Sequence, residues 1–340
     1  MKKTSLADIA SYLGVSKTLV SMVLNNKGDE HAISKDTQKR VKEAAKSLNY
    51  QPNQIARSLR IGKSKTIGLI VADISNPFYA KISRLIEDNS SRLGYNLIIC
   101  STDENSDKER KLLDMLKNRQ VDGIILSSTL KNSNEIRDIL FDNYPLVLID
   151  RTFPDMQTNT VIVDNYLGAR KATEHLVEQG FESIAHFTIS PSYVSCIVDR
   201  KNGYLHVMKE QKLQKYSQVI EIPFNDVRNS VYNFIKEQTQ KEKSIDAIFT
   251  VNNNIALAVF EAANSLKLRI PEDIGLITFD DIDLFNFTNP TISAIKQPIE
   301  LICEKAVQTL IDCIENTVTK TINHVLESEI IVRQSSILKK

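Results

Sequence analysis

Four polar residues stand directly behind short β-rich runs: Asp73 after 67–72, Asp150 after 146–149, Asn252 after 247–251 and Asp280 after 274–279. Ligands of open α/β sheets sit beyond the carboxyl ends of the strands, so these side chains are the first candidates for a small-molecule site. Each is equally compatible with an ordinary strand-end cap or turn. A second set lies near the N-terminus, where Lys17, Thr18, Ser21, Met22 and Asn25 face outward from a short helical stretch. A lysine with small hydroxyl and amide side chains suits phosphates and base-edge acceptors, and Met22 suits a thymine methyl group. Enzyme patterns are weak. There is no G-x-G-x-x-G and no H-E-x-x-H, and Gly62-Lys63-Ser64 lacks the glycine of a phosphate-binding loop, Arg57 standing in its place. Asp280-Asp281-x-Asp283 reads as a solvated acidic turn, and the five histidines show no ligand spacing, so no metal and no cofactor is expected.

Those residues need elements to hold them. Ser5 caps a helix with Asp8 as its capping-box partner, and Leu6, Ile9, Ala10 and Leu13 follow at helical spacing. Gly14 stops that helix. Ser16 caps the next, whose apolar stripe is Leu19, Val20, Val23 and Leu24, and a polar loop runs over 25–31. Ser34 starts a third helix with Val41, Ala44, Ala45 and Leu48 inward. A helix, a three-residue turn containing glycine and a second helix make a helix-turn-helix pattern, whose second helix would lie in the major groove of DNA. Residues 53–60 could form about two helical turns, too few to stand alone, and 62–65 read as a linker.

From Thr66 the pattern changes. β-rich runs at 67–72, 96–100, 123–126, 146–149, 161–163, 184–188, 219–222, 247–251, 274–279 and 292–295 alternate with helical stretches. The helices are expected over 78–93, 105–118, 166–179, 200–212, 227–240, 253–267 and 299–315. Such alternation predicts parallel sheets with helices on both faces, and ten runs fit two doubly wound lobes better than one.

Composition agrees. The chain has 340 residues, 42% of them hydrophobic, which is enough for two or three domains and excludes disorder as the main state. No apolar run approaches the roughly 18 residues of a membrane helix. The N-terminal residues lead into Asp8 rather than an apolar stretch, so a cytoplasmic chain is expected. The net charge of +1 hides an asymmetry: residues 1–65 carry 13 basic and 5 acidic side chains, residues 66–340 carry 30 and 37. A basic head on an acidic body points to a polyanion partner for the head. Cys100, Cys196, Cys303 and Cys313 form no C-x-x-C pair and read as buried thiols.

The order of motifs carries a resemblance. Leu6-Ala7-Asp8-Ile9-Ala10, Gly14-Val15-Ser16, Val20-Ser21, Val23-Leu24-Asn25, Ile33-Ser34, Arg40-Val41, Leu48-Asn49-Tyr50 and Pro52-Asn53-x-x-Ala56-Arg57-Ser58-Leu59 resemble the head of the LacI/GalR family of bacterial repressors. The likeness continues through Ile67-Gly68-Leu69-Ile70, Asn76-Pro77-Phe78-Tyr79, Val121-Asp122-Gly123-Ile124-Ile125, Asp150-Arg151, Phe279-Asp280-Asp281 and Thr291-Ile292, across nearly the whole chain. The resemblance implies an all-α helix-turn-helix DNA-binding headpiece at 1–50 and a hinge helix and linker at 51–63. It implies a two-lobed, periplasmic-binding-protein-like (type I) α/β core at 64–340, with an N-lobe at about 64–163 and 294–326 and a C-lobe at about 164–293 and 327–340. By the same likeness Ser16, Ser21 and Asn25 hold phosphates, while Lys17, Thr18 and Met22 sit at base-reading positions. In the hinge, Asn53, Ala56 and Arg57 accompany Leu59, a wedge that enters the minor groove and bends the duplex.

For the body the resemblance implies an effector cleft between the lobes. Arg200, three residues before Gly203, matches the effector-contacting arginine. Asp150, Asn252 and Asp280 match further effector positions, and Phe78 with Tyr79 matches an aromatic pair. Carboxylates and an arginine fork suit sugar hydroxyls, and aromatic faces suit their C–H faces. Where the family often has Asp after the cleft Asn, this chain has Asn253; Phe224 is a looser candidate. The reading is a homodimeric, cytoplasmic, nucleoid-associated repressor of carbohydrate-utilisation genes that binds a pseudo-palindromic operator. Its rivals are a corepressor-dependent purine-type regulator of the same family, a transport-type sugar binder and an enzyme using the cleft.

Overall fold

Ser5 and Asp8 close a capping box at the head of α1 (Leu6–Leu13): the Ser5 hydroxyl accepts from the Asp8 amide at 3.3 Å, and the Ser5 amide donates to the Asp8 carboxylate at 2.7 Å. Gly14, at φ 66, ends the helix in the left-handed conformation that glycine adopts without steric cost. Ser16 then caps α2 (Lys17–Leu24) and Ser34 caps α3 (Lys35–Ser47). The chain bends by 111° between α1 and α2, inside the range of a helix-turn-helix. Ile9, Ala10, Val20, Val23, Val41, Ala44 and Ala45 are buried together as one small core.

The computed structural model describes residues 4–50, 62–141, 144–240, 244–317 and 320–338. It divides into two compact units, Met1–Ser64 and Lys65–Lys340. The hinge residues Asn53, Ala56, Arg57 and Leu59 lie outside the described residues.

The second unit holds twelve strands among its described residues, in two sheets of six. In chain order they are β1 (Thr66–Val71), β2 (Asn96–Ser101), β3 (Gly123–Leu126), β4 (Leu146–Ile149), β5 (Asn159–Val163), β6 (Ile184–Ile189), β7 (Gln218–Ile222), β8 (Ala247–Thr250), β9 (Gly275–Phe279), β10 (Ser293–Lys296), β11 (Asn323–Leu326) and β12 (Glu329–Ile331). The first sheet runs β11-β5-β4-β3-β1-β2, all parallel. The second runs β12-β10-β9-β8-β6-β7, parallel except for β12. β3, β4, β6, β8 and β9 are buried along their whole length, as strands covered on both faces must be. The helices are α4 (Pro77–Arg92), α5 (Ser106–Asn118), α6 (Asn134–Phe141), α7 (Asn165–Glu178), α8 (Ser195–Glu210), α9 (Val227–Gln238), α10 (Asn253–Ser265) and α11 (Ile299–Ile314).

The chain crosses between sheets three times, after β5, β10 and β11. The lobe boundary expected at 294 needs correction. β10 pairs with β9 and β12, so it belongs to the second sheet, and only then does α11 return to pack on β3, β4 and β5. A run of apolar residues announces a strand but not which sheet receives it. α8 also starts five residues before the expected 200, because Val194 at its N-cap makes no side-chain cap and leaves no start signal. All four cysteines are free; Cys313 is half-buried rather than buried.

Candidate functional site

Asp150 and Asp280 occupy matching places in the two sheets: each follows the fourth strand counted from the β2 or β7 edge. Both take left-handed backbone conformations, φ 63 and φ 71. A non-glycine residue there costs of order 1–3 kcal/mol, and such strain gathers at ligand sites. Between them lies Arg200 of α8. Its Nη2 is 3.8 Å from Asp150 Oδ1 and its Nη1 is 3.9 Å from Asp280 Oδ2, distances of attraction without a direct hydrogen bond. The guanidinium is fixed from behind. Nε donates to Asn165 Oδ1 at 2.8 Å, Nη1 donates to the Val251 carbonyl at 2.7 Å, and the group lies 3.7 Å over the Phe279 ring.

Gly203, one turn beyond Arg200, explains the reach. A Cβ there would meet the Tyr166 carbonyl oxygen at 2.4 Å, so only glycine lets α8 seat this closely on α7, which carries Asn165. On the N-lobe side, the Tyr79 hydroxyl donates to Asp150 Oδ2 at 2.8 Å and lies 3.0 Å from the Ser127 hydroxyl. Phe78 meets Tyr79 edge-on at 5.0 Å.

Electrostatics follow from burial. Asp280 is pushed up from 3.8 to about 6, first by burial and then by Asp150, against the pull of Arg200 and of Gln297, whose amide donates to it at 2.6 Å. The folded value lies above the unfolded one, so ionising Asp280 costs stability. That cost is absent below about pH 4, grows as pH rises and is complete above about 6. Asp280→Asn should therefore gain on the wild type between pH 4 and 7, by about 1–3 kcal/mol in chemical denaturation. A wild type that gains on the variant over that range would contradict this environment. The Cys196 thiol, 4.0 Å from Asp150, is pushed up to about 12 by burial and by Asp150, so it stays protonated.

Asp73, Phe78, Tyr79, Asp150, Arg200, Asn252 and Asp280 all line one cleft, and Phe224 joins them. Two of them also do local work. Asp73 accepts from the Ser75 amide and hydroxyl at 2.8 and 2.6 Å, and Asn252 caps α10 by accepting from the Ile255 amide at 3.0 Å. Asn253 points elsewhere: it is buried, outside the cleft lining, and neither amide atom finds a partner. Sequence reasoning missed Glu104 and Arg151, a buried ion pair in the cleft. Arg151 is adjacent to Asp150 beyond β4, and Glu104 lies beyond β2, so the strand-end signal covers both.

In the headpiece Ser16, Lys17, Thr18 and Asn25 are exposed, while Ser21 and Met22 are half-buried. Val20 and Val23 point the other way, into the core, so Lys17, Thr18, Ser21 and Met22 share the opposite face of α2. Two polar groups are already engaged: the Ser16 hydroxyl accepts from Leu19, and the Asn25 amide donates to the Ser21 carbonyl at 2.7 Å.

A basic helix-turn-helix unit, together with two doubly wound lobes closing on a polar cleft, defines a ligand-responsive DNA-binding regulator. Comparison with known proteins makes the family definite. Residues 5–53 match the bacterial regulatory proteins of the lacI family, and residues 173–336 match a periplasmic binding protein-like domain. The chain is 36% identical over 334 residues to a ribose operon repressor of Halalkalibacterium halodurans, covering 98% of this chain and 97% of that one. A LacI transcriptional regulator of Alkaliphilus metalliredigens complexed with D-xylulofuranose is 29% identical, with a TM-score of 0.70 over 81% of this chain and all of that one. The lac repressor dimer bound to operator and an anti-inducer, 23% identical, shares the fold with a TM-score of 0.87 over 99% of this chain and 100% of that one. The chain belongs to the LacI family of transcriptional regulators. It is a DNA-binding regulator and not an enzyme, and regulators of this family act in the cytoplasm.

Proposed function

We propose that the protein is a homodimeric repressor of carbohydrate-utilisation genes whose grip on a pseudo-palindromic operator is set by a sugar or sugar derivative in the inter-lobe cleft. The observation that carries this reading is Arg200, held between a carboxylate of each lobe and bonded directly to neither. A hydroxyl group accepts from the guanidinium and donates to a carboxylate, so a polyol completes the contacts that the side chains leave open. Two similar proteins support this reading, one being a ribose operon repressor and one solved with D-xylulofuranose.

In this reading residues 1–50 are the headpiece, 51–63 the hinge helix and linker, and 64–340 the effector-binding and dimerisation core. Lys17, Thr18 and Met22 read base edges; Ser16, Ser21 and Asn25 contact phosphates. In the cell the protein sits with the nucleoid. Leu59→Ala should weaken operator binding by a few kcal/mol, the scale of an intercalating wedge, while leaving the melting temperature and sugar binding unchanged. Early melting of the free variant would make Leu59 a core residue instead.

Thermal-shift titration of the full chain with D-ribose, D-xylulose and cellobiose tests the effector class. A ligand at 100 times its Kd adds about 2.7 kcal/mol to stability. A rise with a sugar that also loosens operator binding supports the reading. A purine that raises stability and tightens operator binding, with all sugars inert, overturns it in favour of the corepressor type.

A further inference from the structure

The buried ion pair of Arg151 and Glu104 lines the same cleft as Arg200. Arg151 follows Asp150, and Glu104 lies beyond β2 at φ 55. Their side chains are 6% and 9% exposed. Glu104 takes both terminal nitrogens of Arg151: Oε2 accepts from Nη1 at 2.8 Å and Oε1 accepts from Nη2. The Ser128 carbonyl also accepts from Nη1, at 3.3 Å. Burial works against the charge on Arg151, but Glu104 holds the guanidinium firmly protonated.

What remains of Arg151 is Nε, buried, without a hydrogen-bond partner and 3.6 Å from Asp150 Oδ2. That oxygen already accepts from Tyr79. The other oxygen of Asp150, Oδ1, is buried and equally without a partner. Two adjoining cleft residues thus hold one unsatisfied donor and one unsatisfied acceptor. A buried polar group left so is costly, and a ligand that satisfies both gains accordingly.

That pair suits a hydroxyl group. A hydroxyl group accepts from Arg151 Nε and donates to Asp150 Oδ1. A carboxylate or phosphate oxygen accepts from the first but has no proton for the second. Charge adds to this. Arg151 and Arg200 face Glu104, Asp150 and Asp280 across the same cleft, so the two cations are already outnumbered by carboxyl groups. Without Glu104, Arg151 would present a free fork, the ordinary receptor for an anion.

We propose that Glu104 is a specificity-determining residue: by occupying the fork of Arg151 it makes the cleft select an uncharged polyhydroxyl effector and reject the corresponding sugar acid or sugar phosphate. This inference rests on the sugar reading above, and its test separates the two. Titration calorimetry of the full chain compares D-ribose, D-glucose and cellobiose with D-ribonate, D-gluconate and cellobionate, and with D-ribose 5-phosphate and D-glucose 6-phosphate. A neutral sugar should bind the wild type at least about tenfold more tightly than its own acid or phosphate, since like charges brought together repel. Glu104→Gln should narrow that ratio at least about tenfold by admitting the anion. The double variant Glu104→Gln, Arg151→Gln should lose the admitted anion again, which assigns the gain to the freed guanidinium.

An acid or phosphate that binds the wild type as tightly as its neutral sugar overturns the inference and leaves the sugar reading standing. An unchanged ratio in a folded Glu104→Gln does the same. Should that variant fail to fold, the wild-type ratio alone decides. Binding of a purine and of no sugar in any form overturns the sugar reading, and this inference falls with it.

Discussion

Arg200→Ala abolishes the response to effector, with a loss of about 2–5 kcal/mol of effector binding, or some 30-fold to several thousand-fold in Kd. The size follows from what the guanidinium does. It stands between Asp150 and Asp280, and its removal leaves two buried carboxyl groups facing each other with no cation between them. It also strips the Asn165 side chain and the Val251 carbonyl of their donor and empties the space over Phe279. Asp280, already at about 6, loses the cation that holds it down and titrates higher still. A protonated carboxyl accepts less well from sugar hydroxyls, which compounds the loss. Arg200→Lys keeps the charge but not the fork, and falls between. Calorimetry with the identified effector measures both. Wild-type affinity in Arg200→Ala would mean that the effector binds elsewhere.

Removal of residues 1–60 eliminates operator binding and leaves sugar binding intact. The first unit has its own small core and the second has its own sheets, so each keeps its chemistry without the other. The head also holds the basic excess, 13 basic against 5 acidic side chains over residues 1–65, while the rest of the chain is acidic and repels phosphate. For the intact protein log K should fall with log salt by about 0.9 for each phosphate contacted, so two heads touching about 6–10 phosphates lose 10³–10⁵ in affinity between 50 and 200 mM salt. Gel retardation over a salt series checks both statements. Retardation by the truncated chain, or a flat salt response, would contradict them.

Periodicity and capping were enough to read most of the architecture. The ten β-rich runs correspond to β1 to β10: most are apolar through their length, and the half-exposed edge strands β2 and β7 still hold Leu97-Ile98-Ile99 and Val219-Ile220. β11 and β12 escaped for the opposite reason. Asn323–Leu326 and Glu329–Ile331 are short, half-exposed edge strands whose polar alternation resembles a loop. α6 (Asn134–Phe141) is short, with too few turns to show a clear stripe.

The site divides along the same line. Asp150 and Asp280 could be found from strand ends alone, since the topology of any doubly wound sheet sends those ends to the cleft. Arg200, Phe78 and Tyr79 sit on helices, where nothing local separates a cleft residue from a surface one; only the family resemblance singled them out. Glu104 and Arg151 are 47 residues apart, and their partnership exists only once β2 and β4 lie in one sheet. Asp73 and Asn252 show the converse, since the local cap and the cleft position coincide in one side chain.

The central claim is that the cleft and the DNA-binding face are coupled. Coupling free energy is reciprocal, so a titration run in both directions tests it most directly. Operator affinity is measured with and without saturating effector, and effector affinity with and without saturating operator. The account predicts that sugar weakens operator binding and that operator weakens sugar binding by the same factor, about 5- to 150-fold. A sugar that binds the cleft tightly yet leaves operator affinity unchanged would contradict it.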